Sequence, residues 1–239
     1  MAEEFKRPSG RKNDESRPIE AEAGVIKAAD GSARFKIGDT EAYAAVYGPR
    51  ELHPKFLQDP KTGILRCNYN MMPFSGDGTR VRPGPSRRSK EISLVTEKAL
   101  IPVMNLEDYP NTVVDVFIEL PQTDAGSRCA GICAASIALA DAGLVMKDMV
   151  PAISVGQVRR NLIVDLDGAE EHMDENEGTD IPIAMIPSTE EITLMQGDGI
   201  IDRDDLKKAL EMVKPALKKI AEEQRKALLN KYNSTGDQK

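Results

Sequence analysis

The order in which local patterns follow one another is that of an α+β or mixed α/β domain, and the class it predicts is α+β, with mixed sheets and packed helices. Three observations carry this. Several strand-like runs come first, then a helix, one strand, a helix, several strands and a last helix. The run Thr112–Leu120, TVVDVFIEL, is β-branched and mostly alternating, as a half-buried strand requires. The last helix places Leu206, Leu210, Val213, Leu217 and Ile220 at spacings of 4, 3, 4 and 3, an apolar stripe along one face.

Taken in order, residues 1–16 predict a mobile polar arm, residues 17–232 the folded domain and residues 233–239 a flexible tail. Arg17–Lys27 has strand character, Gly31 marks a turn, and Ala33–Ile37 and Thr40–Tyr47 are strands joined through the tight turn Gly38-Asp39. Pro49–Lys61 is a long connection, and Ile64–Met71 returns as a strand. Ser86 caps a helix over Arg87–Met104, with Ile92, Val95, Ala99 and Leu100 on one face. After Thr112–Leu120 comes a helix of small apolar residues that Gly143 closes. Pro151–Val158, Asn161–Leu166, Ile181–Ile186 and Ile192–Gln196 are further strands. The last helix starts at Asp202 or Asp204, and Pro215 should bend or divide it.

Composition excludes several classes. The 239 residues suffice for a sizeable core, which must be aliphatic because Trp is absent and aromatic content is 4%. No run approaches the length of a membrane span, and the first residues are too polar for a signal peptide. Cys67, Cys129 and Cys133 lack metal-ligand spacing and read as buried free thiols, which fits a reducing cytoplasm. A net charge of −7 argues against a protein basic all over, but a local basic track still suffices to bind nucleic acid.

Chemistry concentrates in three stretches. In TDAGSRCAGICAAS, Gly126 lets the backbone approach an oxyanion, Ser127 offers a hydroxyl and an N–H, and Arg128 offers a planar fork of donors. A helix N-terminus adds orphan N–H groups, so the stretch describes an anion site for phosphate. The plainer reading is a strand-to-helix turn capped by Asp124 or Ser127. It is not a P-loop, because Ile132-Cys133 stands where Lys and Ser/Thr belong. Gly76–Lys90 holds Arg80, Arg82, Arg87, Arg88 and Lys90, and reads either as a basic surface loop or as a track for RNA or phosphate. Arg87 and Arg88 in a first helical turn oppose the helix dipole unless an anion is near. In the acidic segment 165–180, Asp174 and Asp180 flank ENEGT before the apolar strand. They could hold Mg²⁺ through oxygen, or one could protonate a leaving alkoxide; a solvated acidic loop is the alternative.

Together GPSRRSKEIS, TDAGSRCAGICAAS and EGTDIPIAMIPS, in this order and spacing, resemble the RNase PH-type phosphorolytic exoribonucleases, and among them the catalytic RNase PH-like subunits of the archaeal exosome. The likeness covers about residues 6–230. It implies an RNase PH-like fold with a ribosomal protein S5 domain 2-like core. It also implies a reaction in which inorganic phosphate, as co-substrate, attacks the terminal phosphodiester of single-stranded RNA from the 3′ end and releases a nucleoside diphosphate. By the resemblance, Gly126, Ser127 and Arg128 bind phosphate, and Arg87 and Arg88 meet RNA phosphates. Asp180 and Asp174 are the catalytic and metal carboxylates for Mg²⁺ or Mn²⁺. The loop with His53, Lys55, Lys61 and Arg66 corresponds to the neck through which RNA enters. Implied partners are an inactive RNase PH-like paralogue, three of each in a hexameric ring, and RNA-binding cap subunits. Phosphoryl transfer needs charge neutralisation and in-line alignment rather than a protein nucleophile. His53 and His172 being the only histidines, a histidine base is not expected. The competing reading is a non-catalytic RNA-binding ring subunit, which should lack Asp174 or Asp180; both are present.

Overall fold

One buried helix stands between two sheets. The computed structural model describes residues 6–76, 80–173 and 178–236. The first sheet has the order β1-β2-β3-β5-β4, from β1 (Ile19–Ala23), β2 (Gly31–Ile37), β3 (Thr40–Glu51), β4 (Ile64–Met71) and β5 (Thr112–Gln122). Its pairs are antiparallel except β4 with β5, which run parallel with Cys67 opposite Val116. The second sheet is antiparallel, ordered β7-β6-β8-β9, from β6 (Ala152–Val158), β7 (Asn161–Val164), β8 (Thr179–Ile186) and β9 (Glu191–Met195). The α+β class is therefore as the sequence predicts.

The central helix α2 (Ser127–Asp141) packs on β2, β3 and β5 on one side and on β6 and β8 on the other. All its residues except Arg128 and Ala140 are buried, so it is apolar all round rather than striped. Its small side chains let strands come close: a Cβ on Gly31 would lie 2.2 Å from the Ala142 nitrogen. Ile132, Ile137 and Leu139 are fully buried, and each such side chain contributes about 1.5–3 kcal/mol. Helix α1 (Arg87–Leu100) covers β4 with Ile92, Ala99 and Leu100, and α4 (Arg203–Gly236) covers β6 and β7.

Several expectations change. Helix α1 stops at Leu100 instead of Met104, since Pro102 turns the chain into a 3₁₀ stretch, Ile101–Val103. Helix α4 is not divided at Pro215: Val213, Ala216, Leu217 and Ile220 are buried on both sides of it and hold the helix in register. That helix also runs on to Gly236, so residues 233–236 are not the tail expected; residues 237–239 lie outside the described residues.

The polar arm is tied down from Arg7 onward. The Arg7 side chain is fully buried and grips Glu170 with two bonds, Nε at 2.6 Å and Nη2 at 2.7 Å. Its remaining N–H groups reach the carbonyls of Val164 at 3.0 Å and Asp165 at 2.8 Å. Arg11 adds contacts to Asp165, Asp167 and Glu170. Charge alone suggested a mobile segment because its acidic partners lie about 150 residues away in the chain. The acidic segment is correspondingly not a solvated loop over this part: Asp165 and Glu170 are buried, and Gly168–Glu171 forms a one-turn helix, α3.

Arg7→Met is expected to lower unfolding free energy by about 3–5 kcal/mol, because Glu170 keeps a buried charge without its partner. Adding Glu170→Met should restore much of the loss in urea denaturation. Equal stability of Arg7→Met and the unsubstituted chain would show that the arm contributes nothing.

Candidate active site

Strand β5 delivers the chain to the first turn of α2 through Thr123–Gly126. Ala125 and Gly126 are both left-handed, with φ of 55° and 63°. The helix begins with Gly126 as its N-cap and no side-chain cap, so the expected cap by Asp124 or Ser127 does not form. The first helical bond is Ala130 N–H to the Gly126 carbonyl, 3.1 Å. That leaves the N–H groups of Ser127, Arg128 and Cys129 without helical partners. These residues line a small cavity of about 120 Å³, together with Arg88, Ser154, Glu171 and Asp180.

A second cavity of about 670 Å³ shares the walls Arg88, Arg128, Glu171 and Asp180, and continues past Gln196 and Asp198. Arg128 stands at the junction. Its Nη1 donates to Gln196 Oε1, and Gln196 in turn donates to Glu91 Oε1 at 3.3 Å. Arg88, in the first turn of α1, lines both cavities, and no carboxylate pairs with it among the described residues. Ser86 and Ser89 cap that helix reciprocally, which fixes the turn that carries Arg88.

Asp180 enters from β8, where it stands opposite Gly156 and exchanges two backbone hydrogen bonds of 3.0 Å with Asp198. Burial pushes its carboxyl above the usual range. Asp198 adds to this, while the charges of Arg128 and Arg88 pull the other way. Glu171 is likewise pushed up, first by burial and then by the charge of Asp180. The Asp180 Oδ1 atom and the Ser154 hydroxyl are buried without a hydrogen-bond partner. Cys129 is a neutral wall: burial holds its thiol well above its ordinary value, and that of Cys133 is pushed up to about 12. All three cysteines are buried and free.

The structure thus brings together Arg88, Gly126, Ser127, Arg128 and Asp180. It does not bring in Arg87, which is exposed and lines neither cavity. Lys61 and Arg66 also lie away. Arg66 is five residues up β4 from Met71, which does line the smaller cavity, a separation of roughly 17 Å. Arg66 is bound to Asp115 by Nε and, at 3.0 Å, by Nη2. Asp174 lies outside the described residues. Sequence reasoning missed Ser154, Glu171, Gln196 and Asp198. Glu171 and Asp198 were visible only as members of an acid-rich segment and of the turn Gly197-Asp198-Gly199. Nothing local marks Ser154 or Gln196.

Hard cations take carboxylate oxygen, and Mg²⁺ holds few protein ligands and keeps its waters. The unpartnered Asp180 Oδ1 fits such an ion, although no cluster of three or more His, Cys, Asp or Glu with metal-holding geometry occurs among the described residues. No helix among the described residues is long and apolar enough to cross a membrane.

Fold and cleft define an RNase PH-type chain. The structure superposes on rice Rrp46 with a TM-score of 0.81 at 24% identity, covering 93% of this chain and all of that one. It matches a chain of the Archaeoglobus fulgidus exosome with RNA bound to the active site at a TM-score of 0.78 and 24% identity, covering 91% and 92%. The chain belongs to the 3′ exoribonuclease family: residues 15–145 match its domain 1 and residues 148–214 its domain 2. It is 47% identical over 232 residues to the exosome complex component Rrp41 of Methanopyrus kandleri, covering 97% of this chain and 95% of that one. With the Rrp41 of Pyrococcus abyssi it shares 48% over 230 residues, covering 96% and 91%.

Because burial raises the Asp180 carboxyl, the folded state holds its proton at pH values where the unfolded chain has lost it. Stability from this group is full below the unfolded pKa of about 3.9 and falls as pH rises through the folded value. Asp180→Asn should therefore melt higher than the unsubstituted chain at pH 7 in EDTA, with the gap closing as pH falls through the carboxylate range. A gap that widens on acidification would reverse the sign argued here.

Proposed function

We propose that this chain is the catalytic subunit of a phosphorolytic 3′-to-5′ exoribonuclease. The observation that carries the reading is an uncapped helix end with Ser127 and Arg128 facing the half-buried Asp180 across joined cavities that Arg88 also lines. Inorganic phosphate is the anion for the smaller cavity. The N–H groups of Ser127–Cys129 and the Arg128 guanidinium hold it and neutralise its charge. The larger cavity receives the 3′ end of single-stranded RNA, with Arg88 on the scissile phosphate. Attack by a phosphate oxygen on that phosphorus forms one P–O bond and breaks the bond to the 3′ oxygen of the preceding nucleotide. A nucleoside diphosphate leaves, and the RNA is one residue shorter.

His172 lines the larger cavity with its Nδ1 2.6 Å from the Gly168 carbonyl, and no histidine base is required, since a phosphate dianion is already nucleophilic. Asp180 and Asp174 would hold Mg²⁺ or Mn²⁺, which would supply stabilisation of charge on the leaving oxygen. Glu171 and Asp198 add negative potential around Asp180, which favours a cation there. Arg87, Lys61 and Arg66 line neither cavity, so their part is backbone contact along the RNA path rather than chemistry.

Relatives named exosome complex component Rrp41 support membership of an exosome. On this reading the chain alternates with an inactive paralogue, three of each in a hexameric ring, under RNA-binding cap subunits, in the cytoplasm.

Degradation of RNA labelled at its 3′ nucleotide should require inorganic phosphate and release nucleoside diphosphate. Monophosphate formed without phosphate would mean hydrolysis. Arg128→Ala is expected to raise KM for phosphate about tenfold or more, as truncating a charged donor costs roughly 1.5–3 kcal/mol. Asp180→Asn should abolish turnover while RNA still binds; a variant near full rate would return Asp180 to a structural role.

A further inference from the structure

Two residues that line neither cavity fix the aim of the anion cradle. Thr40 opens β3 and is fully buried. Its Oγ1 donates to the Ala125 carbonyl at 2.6 Å and accepts the Asp124 N–H at 2.8 Å. Arg17 arrives from the first strand's side. Its Nη1 donates to the Asp124 carbonyl, while Nε and Nη2 hold the Asp165 carboxylate at 3.0 and 2.7 Å. The Asp124 carboxylate accepts the Gly168 N–H at 2.8 Å, where α3 begins and leads to Glu171.

The segment held this way is strained. Ala125 carries a Cβ and yet has φ of 55°, a region that β-carbon residues rarely adopt and that persists only when surrounding contacts over-determine it. Released, Ala125 would relax toward negative φ. The N–H groups of Ser127, Arg128 and Cys129 would then turn out of line. Only a side chain that both donates and accepts can hold the Asp124 N–H and the Ala125 carbonyl together. A hydroxyl does so from one atom.

We propose that Thr40 is a positioning residue for the phosphate cradle, acting through Asp124 and Ala125 in concert with Arg17. This rests on the phosphorolytic reading of the cradle. Thr40 touches neither phosphate nor RNA, so its removal should weaken phosphate use without touching RNA affinity. The hydroxyl rather than the methyl carries the effect.

The test is the rate of phosphorolysis against phosphate concentration in the assembled complex, for the unsubstituted chain, Thr40→Val and Thr40→Ser, with RNA affinity measured alongside. Thr40→Val keeps the volume and loses both hydrogen bonds, and KM for phosphate should rise about tenfold. Rate at saturating phosphate should fall much less, and RNA affinity should stay as it was. Thr40→Ser should lie close to the unsubstituted chain. Unchanged KM in a folded Thr40→Val overturns the proposal, as does a Thr40→Ser variant as impaired as Thr40→Val. Should Thr40→Val not fold, Thr40→Ala loses the same two hydrogen bonds with less bulk to accommodate. It should raise KM for phosphate too, and an unchanged KM there overturns the proposal equally. No phosphate dependence in the unsubstituted chain would instead reject the phosphorolytic reading itself.

Discussion

Three arginines of the first 17 residues and three acids of the segment after β7 form the contact on which the site depends. Arg7, Arg11 and Arg17 interlock with Asp165, Asp167 and Glu170 across about 150 residues of chain. Buried ion pairs are poor sources of stability unless further hydrogen bonds meet every remaining donor and acceptor. Here they do: the Arg7 guanidinium reaches Glu170 with two bonds and the carbonyls of Lys12, Glu15, Val164 and Asp165 with the rest. What such a network supplies is placement. Asp165 is itself left-handed, with φ of 57°, at the point where the second sheet hands the chain to the acidic segment. Arg17 joins that point to the loop in front of α2, so cradle and acid-bearing segment are held as one unit.

The cleft opposes this order with deliberate dissatisfaction. Asp180 Oδ1 and the Ser154 hydroxyl are buried without partners, and α2 begins without a side-chain cap. Each omission costs roughly 1–3 kcal/mol by general experience with buried unmet polar groups and strained backbone. A chain shaped for stability alone would have capped α2 with Asp124 or Ser127. Here the Asp124 carboxylate is turned away to the Gly168 N–H and Arg17, which leaves three N–H groups at the helix end without helical partners. The aliphatic packing of α2 between two sheets offsets these costs, and does so where the strain sits: the same helix supplies both the buried core and the open end.

Much of the fold was legible because its signals are local. The β-branched run of β5, the small residues of α2 and the 4-3-4-3 stripe of α4 each state their own burial. Gly126-Ser127-Arg128, Arg88 and Asp180, which the structure gathers around joined cavities, stood out for the same reason: residue types with few other uses lay beside a readable helix or strand end. The rest depended on partners far along the chain. Nothing near Arg7 reveals Glu170, and nothing near Ser154 reveals that β6 and β8 pair so as to set it beside Asp180. Pro215 misled because propensity is a local rule, and the buried residues flanking it on α4 override it. Arg66 was legible only in part: its charge is visible in sequence, its bidentate partner Asp115 on the neighbouring parallel strand is not.

That pairing bears on how a chain of net charge −7 receives a polyanion. Net charge matters less than which charges are already answered within the fold. Asp165, Asp167 and Glu170 are answered by the arm, and Asp115 by Arg50 and Arg66 together. These acids therefore project little repulsion, and Arg66 projects correspondingly less attraction. Arg88 differs, having no carboxylate partner among the described residues while sitting in a first helical turn whose dipole already disfavours a cation. Two unfavourable terms at one position are relieved together when an anion arrives. That relief falls where Arg88 and Arg128 both line the joined cavities. Any attraction for an anion at this cleft is thus a property of a few cations without ion-pair partners, and net charge says little about it.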